Sequence, residues 1–320
     1  MRILKGLDGL RTLPPGTIMT IGNYDGMHLG HRRLIETCQA LRNGQTAGVA
    51  VVTFEPHPLT VLRPALAPPR LSPPEIKQAL LRQAGVDFLV ELPPAPEVLN
   101  LSAEAFWAIL RDEVRPTDLV EGSNFSFGKG RGGNIQRLRE WSAGSGVQLH
   151  VIEPVTVVLL DLRIVPVSSS LIRWLLANGR VRDAAICLGH AYVLRGTVIK
   201  GYQRGRHLGF PTANLDCGDQ HVPADGVYAG RCTVEGHPFA AAISIGTLPT
   251  FGEQRRQIEV HLIDFQGDLY GQVLQVEIVD WLRDQRKFQG TDALIKQMHT
   301  DVAAARQIAS IDPARPIAVA

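Results

Sequence analysis

The chain changes its repeating pattern about halfway along, and that change limits its fold more than any other feature. In the first half, short apolar runs alternate with stretches of helical periodicity. "TIMTI" (17–21) leads into a helical pattern from Leu29 to Arg42 that sets Leu34, Cys38 and Leu41 on one face. "AGVAVVTF" (47–54) is a nearly continuous apolar run, as in a strand buried on both faces. "EIKQALLRQAG" (75–85) predicts a helix stopped by Gly85, and "DFLVEL" (87–92) the strand after it. Ser102 is placed to cap "AEAFWAILRDEV", and "DLVEG" (118–122) reads as the next strand. A helix is expected at 134–143, with strands at 147–152 and 155–165. Such alternation calls for a parallel sheet with right-handed crossovers, hence a doubly wound α/β domain.

The second half behaves differently. "SSSLIRWLLANGRVRDAAICLG" (168–189) reads as one or two helices. After it, "AYVLRGTVI", "GVYAGRCTV", "FAAAISIG", "QIEVHLIDF" and "VLQVEIVDWL" are short runs divided by Gly- and Pro-rich turns. Closely spaced short strands predict an antiparallel barrel or sandwich. A last helix is expected at about 291–307. A chain of 320 residues also favours two domains. The predicted division is 1–186, 187–306 and a tail at 307–320.

Composition removes several function classes. The net charge of +2 gives no reason to expect nucleic acid or an acidic membrane as partner. Basic residues do gather in "GKGRGGN" (128–134) and "KGYQRGR" (200–206), where the accompanying glycines suit a small phosphate ligand better than a duplex. Cys38, Cys187, Cys217 and Cys232 form no CxxC pair, which excludes a zinc ribbon and disfavours a disulfide framework. The N-terminus lacks the apolar core of a signal peptide, and "VTVVLLDLRIVPV" (155–167) is broken by Asp161 and Arg163 and too short to span a bilayer. A soluble, cytoplasmic protein is expected.

Chemistry concentrates first in "TIGNYDGMHLGHRRL", a strand-to-helix turn. In an open parallel sheet ligands sit beyond the carboxyl ends of the strands, where helix N-termini favour phosphate. His28 and His31, three apart at such a terminus, can share one anion, and Gly30 between them lets phosphate approach the backbone. Asp25 can hold Mg²⁺ through water. A transition-metal site is a weaker reading without a cysteine or third histidine nearby, and simple helix capping is the bland one.

These residues resemble a known family. "GNYDGMHLGH" is similar to the His-x-Gly-His signature of nucleotidylyltransferases, and more closely to the motif of bacterial bifunctional riboflavin kinase/FAD synthetases. "TFEPHP" (53–58), "GSNFSFGKGRGGN" (122–134) and "SSSLIR" (168–173) follow in that family's order. The resemblance implies a Rossmann-like nucleotidylyltransferase domain that transfers AMP from ATP to FMN, giving FAD and pyrophosphate. It implies an ATP site of Gly22, Asn23, Asp25, His28, Gly30, His31, Ser168, Ser169 and Arg173, with His28, His31 and Arg173 catalytic. For the flavin it implies Phe54, Pro56, His57, Pro58, Asn124 and Arg283. The departures are Tyr24 for phenylalanine, Ser170 for threonine and Asn134 for aspartate.

"GTVIKGYQRGRHLGFPTANL" (196–215) closely resembles the riboflavin kinase signature. Read from its residues alone, Gly201, Gly205 and Gly209 free a loop to wrap phosphate, Pro211 fixes the chain, and Thr212 and Asn214 are neutral oxygen ligands suited to Mg²⁺ bound with ATP. Arg206 joins them as an ATP contact through the resemblance. "PADGVYAG", "IGTLPTF", "IEVHLIDFQGDLYG" and "LRDQRKF" continue the match, with Gln285 in place of glutamate and "GHAY" (189–192) in place of Gly-Arg-Pro-Tyr. Alternation puts Ile258, Val260 and Leu262 on one strand face and Glu259 and His261 on the other. The family makes Glu259 the general base for the ribityl 5′-hydroxyl. The expected pathway runs from riboflavin to FMN in the barrel and from FMN to FAD in the first domain. Rival readings are a nucleotidylyltransferase for another acceptor and a flavin-binding sensor that has lost catalysis.

Overall fold

The computed structural model describes residues 1–311 apart from Gln45, 202–204, 206–207 and 248–255. They form two compact units: Met1–Pro68 with Pro74–Thr156, and Pro69–Pro73 with the chain from Val157 onward.

In the first unit the apolar runs become β1 (Arg2–Lys5), β2 (Ile18–Ile21), β3 (Val49–Phe54), β4 (Phe88–Leu92) and β5 (Asp118–Gly122). A two-residue ribbon, β6 (Ser126–Phe127) with β7 (Gly133–Asn134), precedes β8 (Gln148–Ile152). The main sheet runs β1-β4-β3-β2-β5-β8, and its strands pair in parallel. Both faces are covered. Met19, Val52, Val90 and Leu119 pack with Phe106, Leu110 and Leu138, while Ile18, Val49 and Val120 pack with Leu34 and Cys38 of the helix Leu29–Ala40 and with Leu41 just past its end. Burial on both sides explains why β3 reads as an unbroken apolar run. The chain winds from β2 through β3 to β4, then restarts at β5 on the other flank of β2. That reversal creates a switch point between the carboxyl ends of β2 and β5, where such sheets bind ligands.

Local signals behave as the sequence predicts. The Ser102 hydroxyl accepts the Ala105 N–H at 3.1 Å to start the helix Ala103–Ala108, and Gly85 adopts a left-handed φ of 76° just past the helix Pro74–Gln83. The run 155–165 is corrected. It is not one strand but a hairpin, β9 (Thr156–Val158) and β10 (Ile164–Pro166), forming its own two-stranded sheet. Asp161 accepts the Arg163 N–H at 3.2 Å and pairs with both Arg163 and Arg180, while Leu162 turns at φ 66°. The charges that interrupt the run build its turn.

The second unit begins with that hairpin and two helices, Ser169–Ala177 and Val181–Leu188, separated at Gly179 (φ 70°). Then come β11 (Tyr192–Ile199), β12 (Ala213–Asp216), β13 (Gly226–Val234), β14 (His237–Thr247), β15 (Arg256–Leu262) and β16 (Val273–Arg283). They close as an antiparallel barrel in the order β11-β12-β15-β14-β13-β16. The β13–β14 hairpin turns at Glu235 and Gly236, both at positive φ (50° and 82°), as a two-residue turn between twisted strands requires. Ile243, Ile245, Ile258, Val260, Val276 and Ile278 fill the barrel, and Ile172, Leu175, Val181 and Ala184 of the two helices join the same core. The helix Thr291–Ile311 lies on the outer wall, with Ala305 against Ala229 and Ile263. All four cysteines are free, and no helix among the described residues is long and apolar enough to cross a membrane.

Candidate active sites

In the first unit β2 ends at Ile21, and a sharp turn carries the chain through Gly22, Asn23, Tyr24 and Asp25 to His28. Tyr24 and Met27 lie at positive φ (49° and 45°), rare for non-glycine residues, with Gly26 (85°) between them. The turn is held from beneath. The buried Tyr24 hydroxyl shares a 2.6 Å hydrogen bond with Thr20, and the Thr53 hydroxyl donates to the Asn23 carbonyl at 3.0 Å. Asp25 is buried at the same turn.

His28 is the N-cap of the helix Leu29–Ala40, its Nδ1 accepting the His31 N–H at 3.3 Å. The plain helix capping that the sequence offered is present. With Nδ1 used as acceptor, the neutral ring carries its proton on Nε2. The two imidazoles stack, centroids 3.7 Å apart and planes 14° from parallel. Burial pulls His28 down to about 4 and His31 well below the usual histidine range, with the neighbouring His28 and Lys77 adding to the fall at His31. Gly30 was expected to open the backbone to phosphate; its side-chain space is needed by His28, whose Cε1 would lie 3.1 Å from a Cβ there.

The flavin candidates of this unit are held locally. Phe54 packs on the core, and His57 Nδ1 accepts the Leu59 N–H at 3.1 Å to open the short helix Leu59–Leu62 after Pro58. Glu55, just before Pro56, forms a 2.9 Å ion pair with Lys77, whose side chain is only 7% exposed. Asn124 is exposed just beyond β5. Ser168, Ser169 and Arg173 belong to the second unit, where the Ser168 hydroxyl accepts the Leu171 N–H at 3.2 Å and Arg173 Nε donates to the Pro69 carbonyl at 2.8 Å.

The barrel register assembles a second constellation. Glu259 on β15 lies directly opposite Asn214 on β12 and Ser244 on β14, so the three share one face. As alternation predicts, Ile258, Val260 and Leu262 are buried in the barrel interior and Glu259 and His261 face the other way. Two clefts meet here. One, of about 580 Å³, is lined by Val198, Pro211, Thr212, Leu262 and Asp268 among others; the other, of about 270 Å³, by Thr212, Glu259, His261, Arg283 and Phe288. Thr212 lines both. A Cβ at Gly201 would collide with the Asn214 amide, and one at Gly205 with the Phe210 carbonyl, which explains both glycines. Gly209 supplies a left-handed φ of 86°, and the Gly205 carbonyl accepts from Phe210 N at 2.9 Å. Arg206 lies outside the described residues.

Two family models match this architecture. One described as FAD synthetase covers residues 11–164, and one described as riboflavin kinase covers residues 188–309. The chain belongs to the bifunctional riboflavin kinase/FMN adenylyltransferase family. Among curated members it is 34% identical to the enzyme of Escherichia coli (strain K12), over 96% of this chain and 97% of that one, and 34% identical to the enzyme of Bacillus subtilis (strain 168), over 89% and 90%. A solved structure from Streptococcus pneumoniae, described as a macrolide-efflux protein, matches with a TM-score of 0.83 and 27% identity, covering 95% of this chain and 98% of that one. The parallel-sheet unit thus holds the FAD synthetase domain and the barrel the riboflavin kinase domain, as the motifs implied. It is an enzyme, with ATP as co-substrate, riboflavin and FMN as acceptors, and FMN and FAD as products. The sensor reading finds no support.

The departures from the family pattern acquire physical reasons. Asn134 caps the helix Ile135–Ser142, its Oδ1 accepting the Arg137 N–H at 3.0 Å, a task either Asn or Asp performs. Gln285 uses its amide as a donor, to Ser244 Oγ at 2.8 Å and the Ile245 carbonyl at 3.3 Å, which a carboxylate could not do. Arg283 lines the smaller cleft, but its guanidinium grips the buried Asp301 of the last helix through Nε and Nη2 at 2.7–3.1 Å.

Sequence reasoning missed three residues. His261 fixes the Pro211 carbonyl at 2.8 Å, immediately before Thr212; its place on the polar face of β15 was the available signal. Lys77 and Glu121 are buried ionisable groups whose surroundings depend on contacts distant in sequence, and nothing local marked them.

Proposed function

We propose that riboflavin is phosphorylated where the two barrel clefts meet, and that the resulting FMN receives AMP at the His28–His31 turn. The observation that carries the kinase half is Thr212, which lines both clefts and stands beside Glu259 in the second. In this reading Glu259 accepts the proton of the ribityl 5′-hydroxyl as that oxygen attacks the γ-phosphorus of ATP. Gly201, Gly205, Gly209 and Pro211 shape the loop around the nucleotide, the resemblance adds Arg206 as an ATP contact, and Arg283 orders the flavin side by holding the last helix. Mg²⁺ fits the donor set: Thr212 and Asn214 offer neutral oxygens, and the Asn214 amide is cradled against Gly201 where a Cβ has no room. When bound, the ion would neutralise charge on the transferring phosphoryl group.

For adenylyl transfer the FMN phosphate attacks the α-phosphorus in line, and pyrophosphate leaves with no covalent enzyme intermediate. The protein supplies position and charge compensation. His28 Nε2–H and His31 hydrogen-bond the phosphates, and Gly22, Asn23 and Asp25 orient the nucleotide; Ser168, Ser169 and Arg173 are carried over as nucleotide contacts from the resemblance alone. Phe54, Pro56, His57, Pro58 and Asn124 line the flavin side. The assignment divides function at 186/187, although the helices Ser169–Ala177 and Val181–Leu188 pack with the barrel core. A cytoplasmic location belongs to the same proposal. The test is incubation with riboflavin, ATP and Mg²⁺, followed by chromatographic separation of the flavins. FMN should appear first and FAD after it, and chelation of the metal should stop the first step; FMN production undiminished by EDTA would refute the metal assignment.

A further inference from the structure

The sheet parts at its switch point. β5 stays paired with β8 as far as Gly122↔Ile152, and β2 with β3 as far as Ile21↔Val52. Between β2 and β5, however, pairing covers only Ile18↔Asp118 and Met19↔Leu119. Gly22 donates its N–H to the Val52 carbonyl of β3 at 2.9 Å, so the Ile21 N–H, one residue earlier, points the other way, into the gap. Left alone it would be a donor without a partner at a half-buried strand end. Instead it donates to Glu121 Oε1 at 2.8 Å. A side chain replaces a missing backbone rung.

Glu121 is 1% exposed, and its Oε2 is shielded from water without a hydrogen-bond partner. Burial pushes its carboxyl well above the ordinary range, and Tyr24 and Cys38, the titratable groups that feel it, are pushed up by burial as well. A buried carboxyl, held toward its neutral form, spans the gap. Ile21 leads directly into Gly22 and Asn23, and Glu121 leads into Gly122, Ser123 and Asn124.

We propose that Glu121 is a positioning residue for adenylyl transfer: its side chain sets the separation of the two strand ends whose loops hold ATP and FMN. The inference rests on the adenylyl-transfer reading of this turn, and goes beyond it by naming what holds the crevice at its working width. Reach matters here more than charge. Glutamine has the same length and keeps an acceptor for Ile21. Aspartate keeps the carboxyl but is one methylene short, and valine has no acceptor.

The experiment measures FAD formation from FMN and ATP, and FMN formation from riboflavin, in the full chain. Glu121→Gln should match the parent in both. Glu121→Asp and Glu121→Val should each lower kcat/KM for FAD formation on the order of tenfold, carried by KM for ATP and FMN more than by kcat, with FMN formation unchanged. If the valine variant does not fold, the Asp and Gln pair decides alone. Parental KM values in the Asp variant, or a loss in the Gln variant as large as in Asp, would overturn the proposal. His28→Ala serves as the control on the underlying reading. If it makes FAD at the parental rate, the site assignment fails; if it is inactive while Glu121→Asp is unaffected, only the role of Glu121 fails.

Discussion

Replacing Gly30 by alanine sets helix propensity against the geometry of His28. Alanine favours a helix over glycine by up to about 1 kcal/mol, less in a first turn, and Gly30 does not occupy a left-handed φ that alanine would resist. Its Cβ, however, would stand 3.1 Å from His28 Cε1 and 3.2 Å from Nδ1, a few tenths of an ångström too close. The ring has little freedom, being stacked at 3.7 Å on His31 and using Nδ1 for a 3.3 Å cap bond that can lengthen no further without breaking. Loss of that cap costs about 1 kcal/mol, so the two stability effects should nearly cancel. Catalysis should not be spared, because misplacing a donor by a fraction of an ångström to 1 Å costs roughly ten- to a hundredfold in rate. The expected result is a melting temperature close to that of the parent, FAD formation from FMN slowed at least about tenfold, and FMN formation unchanged. The assay is steady-state turnover with chromatographic separation of the flavins. Parental FAD formation by Gly30→Ala would refute the view that the His28 ring is held in a working position.

Acid should weaken the first unit in a defined window. The folded value of His28 is about 4 and its ordinary value 6.5, so the unfolded chain takes up a proton first as pH falls. The stability this neutral ring provides is fully present above 6.5 and declines by about 3 kcal/mol as pH falls toward 4, with His31 acting in the same direction. Thermal unfolding between pH 7 and 4 should show a smaller loss for His28→Asn than for the parent. Asn134→Ala should cost about 1 kcal/mol in thermal stability by removing the cap of Ile135–Ser142, whereas Asn134→Asp should not.

Much of this was legible from local pattern. Apolar continuity gave β3, alternation gave the two faces of β15, and Ser102 and Gly85 marked their helix ends. The family motifs pointed to both turns that the fold places at cleft mouths or strand ends. What stayed hidden was long-range. Glu121 looked like an ordinary strand residue because the break in the β2–β5 ladder depends on strands far apart in sequence. Nothing in the helical pattern at 75–85 marks Lys77, whose buried ion pair is with Glu55 on a different element. The hairpin at 156–166 was misread because a strand period cannot reveal that two charges fold the run back on itself. Gly30, Gly201 and Gly205 were read as freedom for phosphate, while their packing reasons lie in His28, Asn214 and Phe210.

The central claim is that one chain holds two chemically independent phosphate-handling sites. The most direct measurement compares His28→Ala and Glu259→Gln, each assayed for FMN formation from riboflavin and for FAD formation from supplied FMN. Glu259→Gln preserves shape and removes the proton acceptor, so FMN formation should slow by roughly a hundredfold or more while FAD formation persists. His28→Ala should do the reverse, losing about a hundredfold or more in FAD formation alone. Variants that lose both activities together, or that leave their assigned step at the parental rate, would contradict the account.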